Sequence, residues 1–146
     1  MSPALMRRAM IVITVIGVAL TAYLTIVHYA GITVLCTSGG HNSCEAVQTS
    51  VYSHVLGIPV ALLGLIGYVL ILTALLWPES ELTRIAALAL TLFGFGFSLY
   101  LTYREVFTLK EICEWCVSSA GLLTVLFLLS VGRYISGPSQ PPLAPR

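Results

Sequence analysis

The run from Ile112 to Val131, ICEWCVSSAGLLTVLFLLSV, opens on Cys113-Glu114-Trp115-Cys116 and carries no charge after Glu114. Its length matches the roughly 20 helical residues that cross a hydrocarbon layer of about 30 Å. Three more apolar runs precede it, at about Ala9 to Ala30, Val55 to Trp77 and Ile85 to Tyr103. Hydrophobic residues make up 58% of the 146 and charged residues 9%, with a mean hydropathy of +0.96. A soluble core of this length has no means of hiding so much apolar surface. The expected fold is an all-α membrane protein, a bundle of four transmembrane helices with short connections. The net charge of +1 gives no reason to expect a nucleic-acid partner.

The first run is longer than a signal-peptide core and has no small-residue cleavage site behind it, so it reads as a retained signal anchor. Residues 9–132 form the expected membrane domain. Residues 133–146 hold Pro138, Pro141, Pro142 and Pro145 and read as a disordered tail. Lys and Arg set the orientation. With both termini in the cytoplasm, Arg7, Arg8, Arg84, Arg133 and Arg146 lie inside, against only Arg104 and Lys110 outside. The stretch from Gly31 to His54 has neither residue, as a translocated loop should. All four cysteines then face an oxidising compartment, where disulfides form and persist.

Cysteines at i and i+3 are close enough to bridge, and a bridge strained by helical geometry is easily reduced. Cys113 and Cys116 therefore suit redox cycling. At a helix N-terminus the dipole and the unpaired N–H groups favour a thiolate, and Lys110 adds to this while Glu111 and Glu114 oppose it. The other two cysteines, Cys36 and Cys44, enclose a polar, glycine-containing stretch that reads as a mobile flap. Ser43 suits a cap for a short amphipathic surface helix over Cys44 to Tyr52, and Gly57 and Pro59 mark the turn into the second span. A small repeat links the halves: Tyr23-Leu24-Thr25 and Tyr100-Leu101-Thr102 each precede a cysteine, Cys36 or Cys113, thirteen positions after the tyrosine.

The order of these features resembles the vitamin K epoxide reductase family in its bacterial branch. The features are a loop pair (Cys36, Cys44), a serine six positions after the second cysteine (Ser50), Gly-Ile-Pro before the second span, and a late Cys-x-x-Cys heading the fourth. The likeness covers about residues 9–132. It implies a four-helix membrane bundle around a quinone, ubiquinone or menaquinone, that serves as electron acceptor. Cys113 and Cys116 would be the redox pair with Cys116 facing the quinone, Cys36 and Cys44 the shuttle pair, and Ser50 the polar residue near the quinone head. Trp115, inside the motif, is a candidate contact to the quinone ring.

The chain ends too soon for the thioredoxin-like domain fused to some bacterial members, which implies a separate DsbA-like partner. Vertebrate members carry Thr-Thr-Tyr shortly after the redox pair and a quinone-binding Asn in the second span. Here Val117-Ser118-Ser119-Ala120 follow, and the sole Asn is Asn42, which argues against epoxide reduction. The implied activity is that of a quinone-dependent thiol oxidase of disulfide-bond formation in a bacterial inner membrane.

Other chemistries fit less well. Two purely structural bridges need no cycling motif, and the spacing of Cys36 and Cys44 exceeds that of zinc knuckles, so no metal is expected. A DsbB-type oxidase places its Cys-x-x-Cys in the first outer loop rather than the second. A transporter would carry ionisable groups inside its spans, which hold almost none here. His28, His41 and His54 lie at the outer boundary as candidate proton donors. Phe93, Phe95 and Phe97 alternate by two, so one helix face cannot present all three to a quinone tail. Gly64, Gly67, Gly94 and Ser98 read as residues that let helices approach closely.

Overall fold

A computed structural model describes residues 2–33, 36, 49, 51, 54–110 and 112–137. Four helices account for most of them: α1 Pro3–Ala30, α2 Val60–Leu76, α3 Glu81–Arg104 and α4 Glu114–Ile135. The all-α membrane bundle is therefore as expected. The surface helix expected over Cys44 to Tyr52 and the Pro-rich tail fall largely outside the described residues.

Local chemistry sets the helix ends. Ser2 caps α1 by accepting from the Leu5 N–H at 3.3 Å, with Pro3 in the first turn, so the helix starts six residues before the expected boundary. It stops at Gly31, φ +65°, where Gly31 N–H reaches the His28 carbonyl and Ile32 N–H the Val27 carbonyl. Before α2, His54–Val55 (β1) pairs antiparallel with Ile58–Pro59 (β2) around Leu56 and Gly57, both at positive φ. That two-residue hairpin takes up the start of the expected second span. It leaves α2 at 17 residues, or about 26 Å, the shortest of the four. Ser80 and Thr83 form a reciprocal capping box at the start of α3.

The third span is longer than its hydropathy suggested. After Arg104 the chain does not leave the bundle but continues through a π-helical stretch, Glu105–Leu109, before Lys110 turns it at φ +54°. Arg104 and Glu105, expected beyond the span, lie within a continuous apolar helix from Glu81 to Leu109.

The bundle is up-down-up-down. α1 packs chiefly on α2 and α3 on α4, with α1–α4 and α2–α3 contacts closing the ring. The pattern of burial is that of a protein in lipid. α1 turns Thr14, Gly17, Thr21 and Thr25 inward and leaves Val12, Val15, Ile16 and Ile26 on the outside. Small residues allow backbones to approach, while lipid is as good a solvent for Ile and Val as a protein core. The buried hydroxyls bond back to their own helix: Thr14 to the Met10 carbonyl at 2.6 Å, Thr21 to that of Gly17 at 2.8 Å, and Thr25 to that of Thr21 at 2.7 Å. No hydroxyl of these three is thereby left bare in an apolar interior.

One end of the bundle is basic. Arg7 donates to the carbonyls of Leu75 and Trp77 at 2.8 and 3.1 Å, satisfying groups that the end of α2 leaves unpaired. Arg84 and Arg133, both buried, share the Glu79 carboxylate at 3.6 and 3.2 Å, and Arg84 also donates to the Arg133 carbonyl. The cysteines are at the other end. Between the two, Met10, Tyr68, Ile71, Leu75, Leu123 and Leu126 form the apolar core.

Candidate functional site

The end of α1, the start of α4 and Cys36 meet in a second apolar cluster. Leu24, Val27 and Cys113 are buried at its centre, with Tyr23, Cys36, Trp115 and Cys116 packed against them. The matched reach of thirteen residues after Tyr23 and Tyr100 thus brings both sequence-predicted thiol regions together. Cys36 is disulfide-bonded, whereas Cys113 and Cys116 carry free thiols. Cys44 and Ser50 lie outside the described residues.

Cys113 is the N-cap of α4, with φ −90° and ψ 113°, and Cys116 stands one turn in. The cap position puts the Cys113 sulfur beside unpaired backbone N–H groups. The Cys116 thiol donates to that sulfur and, with the N–H groups of Cys116 and Trp115, draws the Cys113 thiol below its ordinary range. Burial and the nearby Glu105 charge oppose the shift without cancelling it. Among the described residues, the acidic charge that opposes the shift is that of Glu105, and Glu111, expected to oppose it, lies outside them.

A cavity of about 510 Å³ adjoins the pair and reaches down the bundle to Leu90, Ile71 and Leu123. Cys116 is part of its wall and Cys113 is not. The lining is almost wholly apolar, with Leu20, Leu24, Leu63, Leu101 and Leu109 among its residues. Its polar groups include Glu105, Arg104, Tyr68 and Ser119. Tyr68 is buried with its ring over Gly17, and its hydroxyl lies 3.1 Å from the Ser119 carbonyl and 3.0 Å from Ser119 Oγ. Ile66, Leu70 and Phe93 line the cavity and are also exposed on the outer surface, so it opens sideways between α2 and α3.

The aromatic candidates divide. Phe93 and Phe97, four residues apart and stacked at 6.3 Å, border the cavity, while Phe95 turns to Phe127 at 5.1 Å. Trp115 packs on Tyr23 with ring centroids 5.2 Å apart and is not among the described residues lining the cavity. His28 and His54 face each other at 5.2 Å, likewise outside the lining, and His41 is not described. Gly64 and Gly94 do allow close approach, to Thr21 and Leu123, but with Gly67 and Ser98 they also border the cavity.

Two residues were missed from the sequence. Tyr68 sits in a uniformly apolar run, with nothing local to distinguish it from an interface tyrosine. Glu105, 5% exposed, had one available signal: it is the first acidic residue upstream of Lys110 and lies only eight positions before Cys113. Its carboxylate accepts from the Cys113 backbone N–H and is a second acceptor within reach of the Cys116 S–H, beside the Cys113 sulfur.

A closely spaced dithiol at the N-terminus of a membrane helix, beside an apolar cavity open to lipid, is what a membrane protein of thiol redox chemistry would need. The model of the vitamin K epoxide reductase family matches residues 8–131, and the chain belongs to that family. It is accordingly a membrane thiol-disulfide oxidoreductase.

Proposed function

We propose that this protein is a quinone-linked thiol oxidase. It would draw electrons from a reduced, separate DsbA-like partner through Cys36 and Cys44 to Cys113 and Cys116, and reduce a membrane ubiquinone or menaquinone. The observation that carries this reading is the division of labour within the redox pair. Both thiols adjoin the cluster that contains Cys36, with Cys113 fully buried at its centre, but only Cys116 also belongs to the cavity wall.

The relay is a series of exchanges. The partner's dithiol reduces a Cys36–Cys44 disulfide and is itself oxidised. The Cys44 thiolate then attacks Cys113 in a Cys113–Cys116 disulfide and releases the Cys116 thiolate. Cys36 resolves the mixed disulfide, restoring its bridge to Cys44 and leaving Cys113 and Cys116 reduced. A disulfide at Cys36 with free thiols at Cys113 and Cys116 is the pattern such an enzyme holds just before it reduces quinone. Oxidation of that dithiol supplies the two electrons and two protons that convert quinone to quinol.

The cavity suits such a substrate. An apolar interior with a sideways opening between α2 and α3 fits an isoprenoid-tailed ring arriving from the bilayer, and the polar groups gathered near Cys116 fit its head. In this reading Ser50 adds a polar contact to the head, and Trp115 acts by bracing Tyr23 beside the redox pair rather than by touching the ring. Both termini face the cytoplasm of a bacterial inner membrane, with the basic end inside and the cysteines outside.

The test is anaerobic quinol formation by purified protein supplied with a reduced DsbA-like protein, comparing wild type with Cys116→Ala and Cys36→Ala. Cys116→Ala should abolish turnover with any reductant. Cys36→Ala should abolish it with the protein partner but not with a small dithiol. A folded wild type that reduces neither ubiquinone nor menaquinone would overturn the proposal in favour of structural disulfides.

A further inference from the structure

The geometry points to Glu105 as the proton carrier between the Cys116 thiol and the quinone, an inference that rests on the quinone-linked reading above. The side chain is 5% exposed and sits where α3 passes into the π-helical stretch Glu105–Leu109. Such insertions re-aim side chains relative to a regular helix. Glu105 is brought against the start of α4, where its carboxylate accepts from the Cys113 N–H and stands, like the Cys113 sulfur, within reach of the single Cys116 S–H. The bond to a backbone N–H fixes the carboxylate in place. Its second oxygen, Oε2, is buried without a hydrogen-bond partner among the described residues, although the residue lines the cavity. An unpaired buried carboxylate oxygen costs stability, so a structural role alone gives no reason to keep it beside the cavity.

The proton count calls for such a group. In the reduced pair, Cys113 has the more readily lost proton, and Cys116 donates to it. Cys116 borders the cavity and must surrender its own proton as its sulfur becomes the electron donor. Glu105 accepts that proton on its carboxylate and passes it to one quinone oxygen. The second quinol proton is drawn from the outer aqueous side, to which Cys113 released its own. The S–S bond forms as both S–H protons are lost, and the two electrons end on the quinol. Because Glu105 touches the reacting thiol, it acts as a catalytic residue in this scheme.

The test uses full-length protein in micelles or vesicles, reduced beforehand with a small dithiol and mixed anaerobically with quinone. Glu105→Gln keeps an oxygen to accept the Cys113 N–H but cannot carry a proton. It should slow single-turnover quinol formation by about 100-fold or more, the usual contribution of a positioned acid or base. Reduction of the Cys113–Cys116 disulfide by small dithiol, which delivers no proton to quinone, should change far less than quinol formation does. Glu105→Asp should recover part of the lost rate, and acetate should accelerate Glu105→Ala but not wild type. If Glu105→Gln forms quinol at the wild-type rate, the inference fails while the quinone-linked reading stands. If Glu105→Gln, Glu105→Asp and acetate-treated Glu105→Ala lose both half-reactions equally, Glu105 is structural and the inference again fails. If wild type forms no quinol, the underlying reading falls first.

Discussion

Replacing Gly17 by alanine isolates the packing that places Tyr68 at the cavity. A Cβ built on Gly17 lands against Cδ1, Cε1 and Cζ of the Tyr68 ring, well inside the ~3.5–4.0 Å optimum for carbon pairs. The ring cannot simply withdraw, because it is 1% exposed and its hydroxyl is tied to Ser119 at 3.0 and 3.1 Å. Overpacking of this kind costs about 1–3 kcal/mol, and a pinned ring belongs in the upper half of that range. Gly96→Ala is the matched control, since nothing lies within 4 Å of its Cβ and both substitutions gain the same helix propensity. Their difference is therefore the clash itself, about 2–3 kcal/mol, or roughly a 30- to 150-fold difference in the folded-to-unfolded ratio. Titrating micelle-solubilised variants with a denaturing detergent, and following helicity, measures it. Adding Tyr68→Leu to Gly17→Ala should recover much of the loss as a coupling between the two sites. Equal stability of Gly17→Ala and Gly96→Ala would refute this account of the helix packing.

Two further outcomes follow from the site. The Cys113 thiol is held below its ordinary range chiefly by the bond that it accepts from Cys116, so its thiolate persists to lower pH than that of a free cysteine. In Cys116→Ala that bond is gone while burial and Glu105 still act, so the pH midpoint for Cys113 alkylation should rise relative to the reduced wild type. A midpoint that falls or does not move would contradict the assigned cause. Phe93, 75% exposed and bordering the cavity, and Phe95, stacked on Phe127, should separate binding from folding. Phe93→Ala should raise the apparent KM for quinone several-fold with little change in detergent resistance. Phe95→Ala should do the reverse, losing about 1–3 kcal/mol of stability, less than a fully enclosed phenylalanine would. Indistinguishable behaviour would place the cavity mouth elsewhere.

The four spans were legible because crossing a bilayer is a local requirement, set by the length and hydropathy of each segment taken alone. Their ends were less so. The second span lost its first residues to a hairpin in which Leu56 takes a positive φ that few would assign to leucine. The third gained five residues because the chain turned π-helical at Glu105 instead of leaving the bundle. That gain also altered the chemistry. Arg104 and Glu105 look like loop charges in the sequence, but in the fold they border the cavity.

Cys113 and Cys116 followed a similar logic. An i, i+3 spacing at the head of an apolar run places both thiols on the first turn of a helix whatever surrounds them, and the dipole argument needs only that helix. The phenylalanines show the limit: their periodicity required that they divide between faces, without saying which face looked at the cavity. That depends on how α3 is rotated against α4, through the fit of Leu123 beside Gly94 and of Phe95 on Phe127.

The sequence by itself therefore determined a membrane bundle with a redox-capable thiol pair at one end, because hydropathy, span length and Cys-x-x-Cys spacing are properties of short stretches. Packing between helices settled which thiol meets the cavity, that Tyr68 crosses from α2 over Gly17 to Ser119, and that Glu105 reaches the start of α4 beside Cys116. Each of those is a contact between helices far apart in the chain. It is set by rotation, register and one π-helical turn, whose energies exist only when all four helices are packed together.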